Sequence, residues 1–201
     1  MKRSGMMLDV REVLVTSEDI QKKIQEIGER ITEDYAGEKL LLVGILNGSV
    51  VVLSDLMRHI GLPCEIEFMD VSSYGAGTTS SGDIRIIKDL SRDVAGRHVL
   101  IVEDIVDTGL TLSHLLESLR SRGVSTLEIC TLLSKSSRRE VDVEIKYLGF
   151  EVPDEFVVGY GIDYAGSYRN LPDICILKPE VFGEKNGTGK APDTSPQLFA
   201  E

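Results

Sequence analysis

The sequence predicts an α/β domain with a mostly parallel central sheet flanked by helices, and three observations carry that expectation. Residues 39–46 (KLLLVGIL) form a strand-sized apolar run, as does the interior of 98–103 (HVLIVE), the pattern of parallel strands covered on both faces. Each run is followed by a short polar turn and then by apolar residues at helical spacing. Further strand-sized runs, separated by turn residues, continue to residue 177, with no internal repeat.

In chain order, residues 16–36 place Ile20, Ile24, Ile27 and Ile31 on one helical stripe, with Thr16 and Ser17 as candidate caps and Glu18 and Asp19 in the first turn. The strand 39–46 is broken by Asn47, Gly48 and Ser49. A helix over 50–60 then carries Val52, Leu53, Leu56, Met57 and Ile60, and ends at Gly61-Leu62-Pro63. Strands are expected at 65–74 and 83–90. Between them, residues 75–82 contain only Gly, Ala, Ser and Thr, a composition that cannot bury itself and suits a mobile loop or hairpin tip. A strand at 98–103, a turn over 104–109 and a helix over 111–122 with Leu112, Leu115, Leu116 and Leu119 repeat the strand–turn–helix unit. Strands follow at 126–133, 145–150, 156–160 and 174–177. Residues 183–201 are polar, rich in Gly and Pro and without periodicity, and are expected to be a disordered tail behind a single domain over 1–182.

The 201 residues carry a net charge of −11, which argues against nonspecific nucleic-acid binding as the main activity. No apolar run approaches the ~18 residues of a membrane span, and Lys2-Arg3 leads into Asp9 and Arg11 instead of an apolar signal core. A cytoplasmic protein without a membrane partner is the expectation. Cys64, Cys130 and Cys175 are odd in number and lie in apolar stretches, as buried thiols would. His59, His98 and His114 show no metal-ligand spacing.

Ligands of open α/β sheets bind outside the carboxyl ends of the strands, so the turns after residues 46 and 102 form one candidate rim. The second turn combines Glu103, Asp104 and Asp107 with Thr108-Gly109-Leu110-Thr111 at a helix start, where free amides and hydroxyls attract an anion. Three acids beside a phosphate cradle are compatible if the acids hold sugar hydroxyls and magnesium while the amides hold a phosphate. The simpler alternative makes Asp107 or Thr108 a helix cap and Glu103 and Asp104 solvated strand-end acids. Two adjacent acids ending an apolar strand, three residues before a third, favour the site. The nucleotide motifs GxxxxGK[ST] and GxGxxG after a strand are absent.

Residues 99–111, VLIVEDIVDTGLT, are similar to the phosphoribosyl-diphosphate signature of the type I phosphoribosyltransferases. LNGS at 46–49, SSYG at 72–75, LLSKSSRR at 132–139 and DEFVVGYGIDYAGSYRNLP at 154–172 resemble the hypoxanthine-guanine branch, especially its bacterial members. The resemblance covers about residues 8 to 182. It implies a central sheet with a small hood and a flexible loop. It implies purine salvage: transfer of 5-phosphoribosyl from phosphoribosyl diphosphate to N9 of hypoxanthine or guanine, with magnesium, by a homodimer or homotetramer.

Glu103 and Asp104 would then bind the ribose hydroxyls, directly or through magnesium. Asp107 would be the general base for N7 of the purine, and Asp107, Thr108, Gly109, Leu110 and Thr111 would enclose the 5′-phosphate. Lys135 would donate to the 6-oxo group, Phe156 stack on the base and Val157 contact its edge. Asp163 would ligate a second magnesium and Arg169 contact pyrophosphate. Leu46, Asn47 and Gly48 would form the pyrophosphate loop, where the family often has a nonproline cis peptide, and Ser73 and Tyr74 would begin the flexible loop. Where relatives commonly have Lys in the pyrophosphate loop this chain has Asn47, which implies greater reliance on Arg169 and magnesium. Two other readings are a preference for xanthine or adenine, and a regulator on the same fold that binds nucleotide and controls gene expression.

Overall fold

The computed structural model describes residues 5–73 and 84–183. Six strands form the central sheet: β2 (Leu40–Ile45), β3 (Cys64–Ser73), β4 (Ile84–Lys88), β5 (His98–Val106), β6 (Thr126–Ser134) and β7 (Tyr147–Glu151). Their order is β4-β3-β2-β5-β6-β7, with β2, β3, β5, β6 and β7 parallel and the edge strand β4 antiparallel to β3. The helices are α1 (Ser17–Asp34), α2 (Ser49–His59), α3 (Leu110–Arg120) and the short α4 (Pro179–Gly183).

Strand alternation sorts the core into two layers. Leu40 and Leu42 of β2, Leu100 and Val102 of β5 and Cys130 and Leu132 of β6 pack with Ile20, Ile24, Ile27 and Ile31 of α1 and Val52, Leu53 and Leu56 of α2. Leu41, Val43, Val99, Ile101 and Ile129 face the other way, onto Leu112, Leu115, Leu116 and Leu119 of α3. The helical stripes read from the sequence are the buried ones, except that Met57 is half-buried and Ile60 lies just past the end of α2, and Thr16 caps α1 by accepting from the Asp19 amide at 3.2 Å. Cys130 and Cys175 are buried free thiols, and Cys64 is half-buried.

A second, antiparallel sheet, β1 (Val10–Val15), β9 (Ile174–Leu177) and β8 (Val157–Val158), forms the hood. β1 was not legible, because Arg11 and Glu12 interrupt its apolar positions, and it forms by pairing with β9 far along the chain. β8 is two residues long instead of the expected 156–160: Gly159 and Gly161 take φ of 100° and 102°, and Tyr160 takes 48°, which turns the chain.

The largest correction concerns β5. It runs to Val106 rather than ending at 103, because β6 continues to pair with it as Glu103 with Thr131, Ile105 with Leu133 and Val106 with Ser134. Glu103 and Asp104 thus stand on a strand, and the turn shrinks to 107–109. Gly183 belongs to α4; the rest of the expected tail and the whole of the expected loop 75–82 lie outside the described residues. Among the described residues no helix is long and apolar enough to cross a membrane.

Leu53 of α2 is 1% exposed and locks the helix onto β2 and β5. Leu53→Ala should cost about 2–5 kcal/mol of unfolding free energy in urea titrations. A loss under about 1 kcal/mol would contradict this packing.

Candidate functional site

β2 and α2 are joined by three residues, Leu46 to Gly48, and the Leu46–Asn47 peptide is cis. The turn is held from both sides: the Leu46 amide donates to Met69 O at 2.8 Å, and Ser49 Oγ donates to Ile45 O at 2.6 Å. Gly48 has no room for a side chain, since a Cβ there would fall 1.7 Å from Asp104 Oδ2. A Cβ on Gly161, in the hood, would fall 2.2 Å from Gly48 O. The loop between β2 and α2 therefore meets the Asp104 carboxylate of β5 on one side and the hood backbone at Gly161 on the other.

Arg169 completes this half of the site. Its Nη1 donates to Gly161 O at 2.7 Å and its Nη2 lies 2.7 Å from Asp163 Oδ1, while Asp163 Oδ2 accepts from the Gly166 amide at 2.8 Å. Among the described residues, no three His, Cys, Asp or Glu side chains gather into a metal cage.

The other half lies at the start of α3, where Glu103, Val106, Asp107, Thr108, Gly109 and Thr111 line much of a cleft of about 140 Å³. Alternation continues past the apolar part of β5, so Glu103 follows Val99 and Ile101 toward α3, and Asp104 follows Leu100 and Val102 toward α2. The helix N-cap is Gly109, at φ 84°, with no side-chain cap bond, so Asp107 is not a cap. Among the described residues no side-chain cap bond closes this turn, and Leu110 N lies 3.4 Å from Thr108 Oγ1. Those amides are available to an anion.

A second segment braces this turn. The Glu140 and Val141 amides donate to Thr108 O at 2.9 and 3.1 Å, and the Lys135 amide donates to Val106 O at 3.0 Å. Lys135 follows directly on β6 and is only 3% exposed, which makes it a buried cation rather than a solvated strand-end charge. Burial pulls its pKa down, and the charge of Asp107 opposes that pull. Arg138 Nε lies 3.3 Å from Asp107 Oδ1, and Arg138 Nη1 lies 3.7 Å from Asp154 Oδ1.

Burial raises the Glu103 carboxyl well above its ordinary range, and the neighbouring Asp104 charge raises it further. Burial pushes Asp104 up to about 6, against the hydrogen bond from the Ile105 amide at 2.9 Å and the positive charge of Arg169. Both acids are thus costly to keep ionised where they stand.

Phe156 is half-buried and meets Tyr164 edge to face at 5.2 Å, and Val157 is buried in β8. Ser73 ends β3, and Tyr74 lies outside the described residues. Of the residues singled out from sequence, Leu46 to Gly48, Asp104, Asp163 and Arg169 gather in one half, and Glu103, Asp107 to Thr111 and Lys135 in the other. Sequence reasoning missed Arg138 beside Asp107 and the packing of Gly161 on Gly48. Arg138 follows Lys135 by three residues, and the run Gly159-Tyr160-Gly161 marked a backbone turn, signals that could have found both.

The description "phosphoribosyl transferase domain" fits residues 12–165. Over 174 residues the chain is 54% identical to the hypoxanthine-guanine phosphoribosyltransferase of Staphylococcus aureus, covering 87% of this chain and 97% of that protein. It is 49% identical over 180 residues to the bifunctional protein TilS/HprT of Listeria monocytogenes, covering 90% of this chain and 28% of that one. The crystal structure of a hypoxanthine phosphoribosyltransferase from Staphylococcus aureus superposes with a TM-score of 0.88 at 53% identity, over 90% of this chain and 99% of the other. On the match over 154 of 201 residues and on these identities, the chain belongs to the phosphoribosyl transferase family.

Proposed function

We propose that this chain acts in purine salvage as a pentosyl-group transferase. It moves 5-phosphoribosyl from phosphoribosyl diphosphate to N9 of hypoxanthine or guanine, releasing pyrophosphate and the nucleotide. The observation that carries this reading is a cleft that joins Glu103, Asp107 and the start of α3, with the buried Lys135 tied to its wall by the bond from its amide to Val106 O. The 54% identity to an enzyme bearing that name supports it.

In this reading the α3 amides with Thr108 and Thr111 hold the 5′-phosphate, and Glu103 and Asp104 hold the ribose hydroxyls. Asp107 takes the proton from N7. Lys135 donates to the 6-oxo group, which a 6-amino group cannot accept, so adenine is disfavoured and xanthine is not. Phe156 stacks on the base and the Val157 backbone meets its edge. Charge builds at the anomeric carbon as pyrophosphate departs, so the leaving group must be met by fixed positive charge in a dry site. Arg169 and the amides of Leu46 to Gly48 supply that contact, with Asn47 offering no cation.

Glu103 and Asp104 suit a magnesium ion as oxygen donors whose carboxyls burial raises, Asp104 in spite of the charge of Arg169, so that a cation would offset the cost of keeping them ionised. Asp163 fits less simply, since both its oxygens are engaged, one by Arg169 and one by Gly166. Magnesium generally takes few protein carboxylates and shares substrate phosphates, so an all-protein cage is not required. Held by either carboxylate together with substrate oxygens, it would supply positive charge to offset that of the phosphates. The same reading takes residues 1–182 as one catalytic domain, the cytoplasm as its compartment, and a homodimer or homotetramer as its working form. A gene-regulating role gains no support from the net charge of −11 or from the relatives.

Asp107→Asn should keep the fold and lower kcat about 100-fold or more, with little change in KM for phosphoribosyl diphosphate. Steady-state kinetics with a thermal melt reads this, and a kcat within threefold of the parent removes Asp107 from catalysis. Lys135→Ala should lower kcat/KM for guanine and hypoxanthine at least ~10-fold more than for adenine. An unchanged ratio would deny Lys135 its role at the 6-oxo group. Gly48→Ala must displace the loop or the Asp104 carboxylate, and a shift of about 1 Å should cost on the order of 100-fold in kcat/KM for phosphoribosyl diphosphate. A variant with parental kinetics would mean the close approach has no functional consequence.

A further inference from the structure

Tyr160 lies between Gly159 and Gly161 in the turn that leaves β8, and its side chain is 5% exposed. Its hydroxyl donates to Asp55 Oδ2 on α2 and lies 3.3 Å from Gln21 Nε2 of α1, which itself donates to Asp55 Oδ2 at 2.8 Å. Arg58 pairs with the other Asp55 oxygen. Burial raises the Asp55 carboxyl, and the bonds from Tyr160, Gln21 and Arg58 outweigh it and hold the group below its ordinary value.

One residue on, the backbone turns to the site. The Gly161 amide donates to Arg169 O at 2.9 Å, Gly161 O accepts from Arg169 Nη1 at 2.7 Å, and Gly161 abuts Gly48 O too closely for a Cβ. The Tyr160 amide itself donates to Leu171 O at 2.7 Å. We propose that Tyr160 is a positioning residue for the pyrophosphate end of the reaction: its hydroxyl, fixed on Asp55, sets the place of Gly161 and through it of Arg169 and the loop Leu46 to Gly48. This rests on the function proposed above.

The hood has other anchors, which separate positioning from folding. β1 pairs with β9 along its length, and the Ser17 amide donates to Asp173 Oδ1 at 2.7 Å. Loss of one hydroxyl should leave the hood folded and loosen the 159–161 turn.

The test compares Tyr160→Phe with Tyr147→Phe. Tyr147 is likewise buried and donates to a carboxylate, Asp34 Oδ2 at 2.6 Å, but at the start of β7, away from the site. Tyr160→Phe should raise KM for phosphoribosyl diphosphate, and for pyrophosphate in the reverse reaction, about 10-fold, leaving KM for guanine within twofold. Tyr147→Phe should leave all three unchanged. Asp55→Ala should reproduce the Tyr160→Phe pattern, and the double variant should be no worse than either alone. Should Tyr160→Phe fail to fold, Asp55→Ala gives the same reading alone.

A KM for phosphoribosyl diphosphate within twofold of the parent, or an equal rise for guanine, overturns the proposal. An active parent with either result overturns this inference alone, whereas a parent that releases no pyrophosphate overturns the functional reading and this inference with it.

Discussion

Three parts of the chain meet at Gly48 without space for a single added carbon: the loop after β2, the Asp104 carboxylate of β5, and the hood backbone at Gly161. Arg169 and Asp163 are placed relative to that contact, while the start of α3 is braced separately by residues 135–141. The parallel sheet brings the ends of β2 and β5 side by side, because Leu40 through Gly44 pair in register with His98 through Val102. The hood then closes over that edge only because two glycines allow the chain to turn at φ near 100° on either side of Tyr160. A side chain at either contacting glycine would push Arg169 or Asp104 off the position that the sheet gives it.

Charge is distributed around this contact in an unbalanced way. Burial raises the carboxyls of Glu103 and Asp104, Lys135 is a buried cation, and Asp107 lies within reach of Arg138. Burying charge costs free energy unless partners compensate, so such an arrangement suits a ligand that brings the missing charges. A polyphosphate sugar with its cation and a base with a carbonyl acceptor supply them. Neighbours on a strand point to opposite faces, so Glu103 lies toward the start of α3 and Asp104 toward the loop Leu46 to Gly48.

Much of this was legible in the sequence, for physical reasons that differ by element. β2 and the core of β5 are covered on both faces and read as unbroken apolar runs, and the stripes of α1, α2 and α3 follow the helical period. β1 and the far end of β5 escaped because their stability comes from pairing with distant strands, β9 and β6, which leaves no local apolar signature. The motif from Glu103 to Thr111 was legible as chemistry from its residue types, whereas Lys135, Phe156, Asp163 and Arg169 came from resemblance alone. The burial of Lys135 and the anchoring of Tyr160 on Asp55 depend on side chains more than 100 residues apart in the second case, and no spacing rule reveals them.

The account stands on phosphoribosyl transfer to a 6-oxopurine at this rim. Pyrophosphate release from phosphoribosyl diphosphate, measured with guanine, hypoxanthine, xanthine, adenine and uracil, with magnesium and with excess chelator, tests that most directly. Rapid release with guanine and hypoxanthine, lost in chelator and near background with adenine and uracil, is the predicted result. Release with adenine or uracil at the rate seen with guanine, or none with any 6-oxopurine, would contradict it.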